Sequence, residues 1–143
     1  LKKFLSKVCV EICNTIEPLF TVGIYMYNMF IEEFELISLC GESNELFKQN
    51  FDKNDKFISE ISFCKKDDCV VVEIENNKCL FYPMMRFNNI IGFIMITSKN
   101  SQFNQRIKDL LGSITNLISV AVVNLQQLEE EREKQKLKQM KDR

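Results

Sequence analysis

Leu80-Phe81-Tyr82-Pro83-Met84-Met85-Arg86-Phe87-Asn88-Asn89-Ile90-Ile91-Gly92-Phe93-Ile94-Met95-Ile96 is the stretch on which the architecture turns. Two apolar runs flank an Asn-Asn pair, and Asn tolerates the positive φ of a tight hairpin turn. The stretch predicts two antiparallel strands, Cys79 to Arg86 and Ile90 to Thr97, joined at Asn88-Asn89. A second pair, Asn76-Asn77, joins an earlier run, Cys69 to Ile74, to the first of them. Val70-Val71-Val72, Ile90-Ile91 and Phe93-Ile94-Met95-Ile96 are apolar at successive positions, so both faces of these strands are expected to be buried.

Upstream, Thr21 to Phe30 and Phe34 to Cys40 read as two more strands, connected through Ile31-Glu32-Glu33 and closed by Gly41. Leu1, Phe4, Leu5, Val8, Cys9, Ile12 and Ile16 form one face of a helix over 1–17, which Glu17-Pro18 ends. Between the strands, Ser43-Asn44-Glu45 offers a helix cap, and Asp52 to Cys64 is loosely amphipathic through Phe57, Ile58, Ile61 and Phe63.

Downstream, Ser101 or Asn104 caps a closing helix over 102–128. Ile107, Leu111, Ile114, Ile118, Ala121, Leu125 and Leu128 step alternately by four and three, which is heptad spacing. These seven residues are the expected dimer and signalling face. Without Pro or Gly the helix then runs into Glu129-Glu130-Glu131-Arg132-Glu133-Lys134-Gln135-Lys136, which has no comparable apolar face. The expected organisation is a domain over 1–128 and a charged helical linker over 129–143. Leu1 at one end and Lys141-Asp142-Arg143 at the other suggest a piece of a longer protein, with an output domain beyond the linker.

The fold class that follows is α+β. An antiparallel sheet of five or six strands carries the two terminal helices on one face, and short helices or loops over the other. A cavity between the sheet and the segment from Ser43 to Asp68 is the place for a small ligand.

Composition removes many functions. The 143 residues are about one domain. With 19 basic and 20 acidic residues the net charge is −1, so no field steers the chain toward nucleic acid or anionic lipid. Lys134, Lys136, Lys138, Lys141 and Arg143 follow a run of glutamates and read as a solvated helix. No segment reads as the ~18 apolar residues of a membrane span, and nothing resembles a signal peptide. A cytoplasmic, soluble domain without membrane insertion is expected. There is no histidine, which excludes Ser-His-Asp and Cys-His catalysis, imidazole-ligated haem and most zinc hydrolases. Gly23, Gly41, Gly92 and Gly112 are too far apart to cradle a phosphate. The six cysteines contain no Cys-x-x-Cys, so they read as reduced, core-filling residues and not as a metal site. A thiol sensor at Cys64 and Cys69, or at Cys40, is the alternative.

Leu80-Phe81-Tyr82-Pro83-Met84 followed by Ile90-Ile91-Gly92-Phe93-Ile94-Met95-Ile96 resembles the Pro-Leu stretch and Ile-Gly-Val-Leu strand of GAF domains, a small-molecule sensing module. Ile118-Ser119-Val120-Ala121-Val122-Val123-Asn124-Leu125 is similar to that family's last helix. The related PAS fold has a comparable order of elements, but the long helix closing directly on the last strand, with Pro83 and Gly92, favours GAF. The resemblance implies a PAS-related sheet and dimerisation through the terminal helices. It leaves the ligand open. Cyclic-nucleotide-binding members carry an Asn-Lys…Phe…Asp-Glu signature, whereas here Asn77-Lys78 and Phe81 are followed by Met84-Met85. Bilin-binding members use a cysteine usually followed by histidine, and no cysteine here qualifies. The signatures of the free methionine sulfoxide reductases, which are catalytic GAF domains, find no good match. No cofactor is identifiable, and haem, bilin and cyclic nucleotide are disfavoured. The run from Leu128 to Arg143 resembles the segment before the phospho-acceptor histidine of sensor histidine kinases.

The function expected is therefore non-catalytic: a sensory or relay domain of a signalling protein, most readily a two-component histidine kinase, acting as a homodimer through a C-terminal coiled coil. A ligandless dimerisation spacer and a thiol-redox module or reductase are the alternatives. Strand alternation puts Tyr25 and Tyr27 on one face and Ile24 and Met26 on the other. Tyr27, Phe57, Ile61, Cys64, Val71 and Tyr82 are the candidates for a pocket lining, which would suit a small apolar ligand or none.

Overall fold

Alternation of apolar side chains along the two central strands builds a sheet with two cores. The computed structural model describes residues 2–15, 20–41, 46–55, 58–59, 70–74, 77–98 and 105–141. In chain order these are α1 (Lys2–Thr15), β1 (Phe20–Asn28), β2 (Glu33–Cys40), β3 (Asn50–Asp52), β4 (Val70–Ile74), β5 (Asn77–Arg86), β6 (Asn89–Ser98) and α2 (Gln105–Lys141). The sheet has six strands in the order β3-β2-β1-β6-β5-β4, with every neighbouring pair antiparallel.

One face meets the helices. Ile24 and Met26 of β1, Leu80, Tyr82 and Met84 of β5, and Ile94 and Ile96 of β6 pack there with Leu5 and Cys9 of α1 and Leu111, Ile118 and Val122 of α2. The other face is aromatic: Tyr25, Phe34, Phe51, Phe81 and Phe93, with Leu46, Phe47, Ile58, Cys79 and Met95. The predicted division of Tyr25 and Tyr27 from Ile24 and Met26 is the one observed. Two buried faces explain why β6 reads as one unbroken apolar run.

Turn chemistry places the hairpins slightly off the expected positions. The β5–β6 turn lies at Phe87 and Asn88, with φ of 52° and 64°, one residue before the predicted Asn88-Asn89. Arg86 pairs with Asn89, and a bulge between Met84 and Met85 absorbs the shift. The β1–β2 turn covers 29–32, closed by Glu32 at φ 55°, so Glu33 already belongs to β2. Asn28 Oδ1 accepts from Phe30 N at 2.9 Å, a local turn made by the side chain. Register carries both turns to one end of the sheet, where Met29, Phe30, Ile31 and Phe87 are exposed.

β3 replaces the start of the expected amphipathic segment from Asp52. Its three residues pair with Glu33, Phe34 and Glu35 of β2, and only Phe51 turns inward. Asp52 then closes a turn, accepting from Asn54 N and Asp55 N. The rest of that segment apart from 58–59, the Ser43-Asn44-Glu45 cap, Asn76 of the expected Asn76-Asn77 turn and the caps at 101 and 104 lie outside the described residues, while Asn77 pairs with Ile74 in the ladder.

α2 is a single helix of 37 residues, about 55 Å long at 1.5 Å per residue. The domain helix and the charged run are thus continuous through 128. Against the sequence count, its Gln105–Met140 portion is long and apolar enough, by length and composition, to cross a membrane. Part of that apolar surface is spent on the sheet through Leu111, Ile118 and Val122.

Candidate functional site

Phe93 organises the aromatic face. β1 places Tyr25 beside it in register, and the two rings stack with centroids 4.8 Å apart at 17°. Phe34, Phe81 and Phe51 surround it at 5.3, 5.6 and 6.0 Å, all inclined. These are the offset and edge-on contacts that aromatic quadrupoles favour. The Tyr25 hydroxyl donates to Lys48 O at 2.6 Å, tying the segment after residue 46 to the sheet. Burial raises the Tyr25 phenol far above its ordinary value, so it stays protonated. These rings are at most 3% exposed, so the face is a filled aromatic core and not an open surface. Among the described residues it presents no acid–base pair, and no group of three or more Cys, Asp or Glu is placed to hold a metal ion.

The candidate lining does not gather in one place. Tyr27 borders the aromatic face, with its ring 5.2 Å from that of Phe34. Tyr82 is on the opposite face: its hydroxyl donates to Lys108 O of α2 at 2.9 Å, inside the helix layer. The reason is parity, since Phe81 takes the aromatic side and a strand alternates. Val71 is 44% exposed, while Val70 and Val72 on either side of it pack toward the aromatics. Phe57, Ile61 and Cys64 lie outside the described residues. Tyr25, Phe34, Phe51, Phe81 and Phe93, none of them among the candidate lining residues, fill this face instead. Tyr25 alone had a signal, as the same-face neighbour of Tyr27.

The thiols are poorly suited to chemistry where they are described. Cys9 donates to Val22 O at 3.3 Å; burial pushes its pKa up to about 11, against a smaller lowering by Ser38. Burial likewise pushes Cys79 up to about 11. A thiol held this far above neutrality forms almost no thiolate at pH 7. Cys40 is half-buried at the end of β2.

α2 supplies the other feature of note. Its expected dimer face divides. Leu111 and Ile118 are 1% and 4% exposed, packed in the core of their own domain with Ile107 and Ile114 against them. They are therefore not a seam for a partner. Ala121 and Leu125 are half-buried and Leu128 is exposed. On α2, Leu110, Leu117, Val120, Leu128, Leu137 and Met140 are left uncovered, as is Val10 on α1. Leu110 and Leu117 are seven apart and Val120 follows three later, so they share one face. Beside them runs a groove of about 470 Å³ between α1 and α2, floored by Phe4, Val8, Ile114 and Ile118 and edged by Lys7 and Glu11. A second groove, of about 280 Å³, separates α2 from the β5–β6 hairpin between Met85 and Val123.

No family model matches the sequence, and no curated protein matches it. Solved structures do resemble it. The GAF domain of an Acinetobacter phosphoenolpyruvate-protein phosphotransferase superposes with a TM-score of 0.67 at 13% identity, covering 86% of this chain and 82% of that one. The blue-light absorbing form of the PixJ GAF domain from Thermosynechococcus elongatus gives 0.68 at 10% identity, covering 93% and 90%. A type II free methionine-R-sulfoxide reductase from Thermoplasma acidophilum gives 0.63 at 18% identity, covering 82% and 89%. At such identities the likeness speaks for architecture. With its six-stranded antiparallel sheet and helices on one face, this chain has the GAF fold.

Proposed function

We propose that this domain is a non-catalytic signal relay that works as a parallel homodimer through the outer face of α2. The observation that carries this reading is the double use of α2. One side is core, and away from it Leu110, Leu117 and Val120 are uncovered, with Leu117 on the α1 groove. The same helix then continues as an exposed rod to Lys141. An upstream signal, or a small ligand that displaces part of the aromatic core, would repack the sheet against α1 and α2 and shift the rod; two packings differing by ~1–3 kcal/mol suffice. The resemblance of 128–143 to the segment before a phospho-acceptor histidine supports a cytoplasmic histidine kinase as the parent.

Leu117→Arg tests the assembly. It should weaken self-association in sedimentation equilibrium by roughly a hundredfold, as loss of a central contact does. Leu111→Ala should lower stability and leave association intact. A wild-type chain that stays monomeric at high concentration ends the reading.

A reductase is the second reading, favoured by the likeness to two free methionine-R-sulfoxide reductases, from Thermoplasma acidophilum and Staphylococcus aureus. The raised pKa values of Cys9 and Cys79 weigh against those two thiols as nucleophiles. Turnover of free methionine sulfoxide with dithiothreitol would decide for it.

A further inference from the structure

The sheet-facing line of α2 does not stop where its apolar residues stop. Leu111, Ile118 and Val122 are followed at four-residue steps by Gln126 and Glu130, which continue the same face. Where the helix turns polar, the sheet matches it. Arg86, the last residue of β5, donates from Nη1 to Glu130 Oε1 at 3.0 Å and from Nη2 to Oε2 at 3.1 Å. Nη1 also reaches Gln126 Oε1 at 3.4 Å, and the guanidinium carbon lies 5.2 Å from the centre of the Phe87 ring. A two-point fork of this kind fixes direction as well as distance. Its hydrogen bonds lower the Glu130 pKa and raise that of Arg86.

We propose that Arg86 is a releasable clasp on the exit of α2. Closed, it holds the helix from Gln126 onward against the β5–β6 hairpin. Open, it frees that stretch to swing from the sheet. This assignment takes its purpose from the relay reading and its geometry from the structure alone. Three features suit release. The Glu130 side chain is 56% exposed, so water and salt compete for it. Arg86 Nε is buried without a hydrogen-bond partner, so the closed state carries an unsatisfied donor that opening would hydrate. A second polar tie between β5 and α2, from Tyr82 to Lys108 O, is neutral and sits near the helix start, so α2 stays docked when the clasp opens.

Hydrogen exchange on the 143-residue chain tests the clasp. Arg86→Ala and Glu130→Gln should each speed amide exchange over 127–134 by about tenfold and leave 108–122 within about twofold. Arg86→Glu combined with Glu130→Arg should restore protection. Raising sodium chloride to about 0.5 M, where screening is short, should move the wild type toward the Arg86→Ala pattern. Unchanged exchange over 127–134 in both single variants overturns the proposal. So does an equal rise over 108–122, which would make Arg86 a general support, or a swapped pair that restores nothing. The two readings fail separately. A monomer with the exchange pattern intact sinks the relay; a dimer without the pattern sinks the clasp.

Discussion

Gly92 is the residue on which the hairpin's reading is most exposed to test. It pairs with Met26 of β1 on one side and Met84 of β5 on the other, in the middle of the sheet. A Cβ built there would run into the backbone oxygen of Tyr25, and would lie 2.8 Å from Met84 Cε and 2.9 Å from Met26 Sδ. The methionine tips can turn aside, since three rotatable bonds make that side chain adaptable. The Tyr25 oxygen cannot, because it moves only with the β1 backbone. Gly92→Ala should therefore cost at the upper end of the overpacking range, about 3 kcal/mol. Gly23 is the internal control. Its added Cβ would meet only side chains, Phe47 at 2.7 and 2.8 Å and Leu36 at 3.3 Å, so Gly23→Ala should cost about 1–2 kcal/mol. Urea unfolding at one fixed protein concentration reads both, with the concentration held because association adds to apparent stability. Unchanged urea slopes are expected and, in a thermal melt at the same protein concentration, a fall of about 6–12 °C in the Gly92→Ala midpoint. A Gly92→Ala cost below about 0.5 kcal/mol, the usual range of surface changes, would show that the sheet does not close around this residue as described. A Gly23→Ala cost above that of Gly92→Ala would refute the ranking of backbone over side-chain obstruction.

Further outcomes follow from the aromatic face and the thiols. Phe93→Ala should destabilise by about 3–5 kcal/mol in urea unfolding, because four neighbouring rings lose their common contact; a value under about 1.5 kcal/mol would mean the rings are not packed. Cys9 and Cys79 should resist iodoacetamide at pH 7 in the folded chain and label freely in urea; fast native labelling at either site would contradict their burial. Both thiols are raised from 9.0 to about 11 in the fold, so the native state holds their protons more tightly than the unfolded chain does. Stability is then full below pH 9 and declines as the pH climbs toward about 11, a decline that Cys9→Ala combined with Cys79→Ala should flatten.

Legibility followed the length of each pattern. β5 and β6 were readable because unbroken apolar runs flank an Asn pair, and α2 because its apolar stripe keeps one spacing from Ile107 to Leu128. β3 was not, since one inward Phe51 between two exposed residues makes no alternation. The β5–β6 turn slipped by one because the reading took Asn88-Asn89 as a unit, whereas the bulge at Met84 and Met85 sets the register. The pocket candidates failed at Tyr82 for a related reason. In a strand buried on both faces every position is apolar, so composition cannot say which side a residue serves. The heptad stripe of α2 had the same ambiguity: spacing marks a sticky face without saying whether sheet or partner covers it. Arg86 gave no signal at all, because its partner is 44 residues away in sequence.

The grip of Arg86 on Glu130 also makes α2 a lever. Tyr82 anchors it at Lys108 and Arg86 grips it at Glu130, about 33 Å further along, while the rod reaches about 16 Å past the grip to Lys141. Val122, the last α2 residue in the core, lies only about 12 Å before Glu130 and serves as the pivot, so a displacement at Glu130 arrives at Lys141 about 2.4 times larger. A sub-ångström rearrangement of the hairpin would thereby reach the far tip amplified.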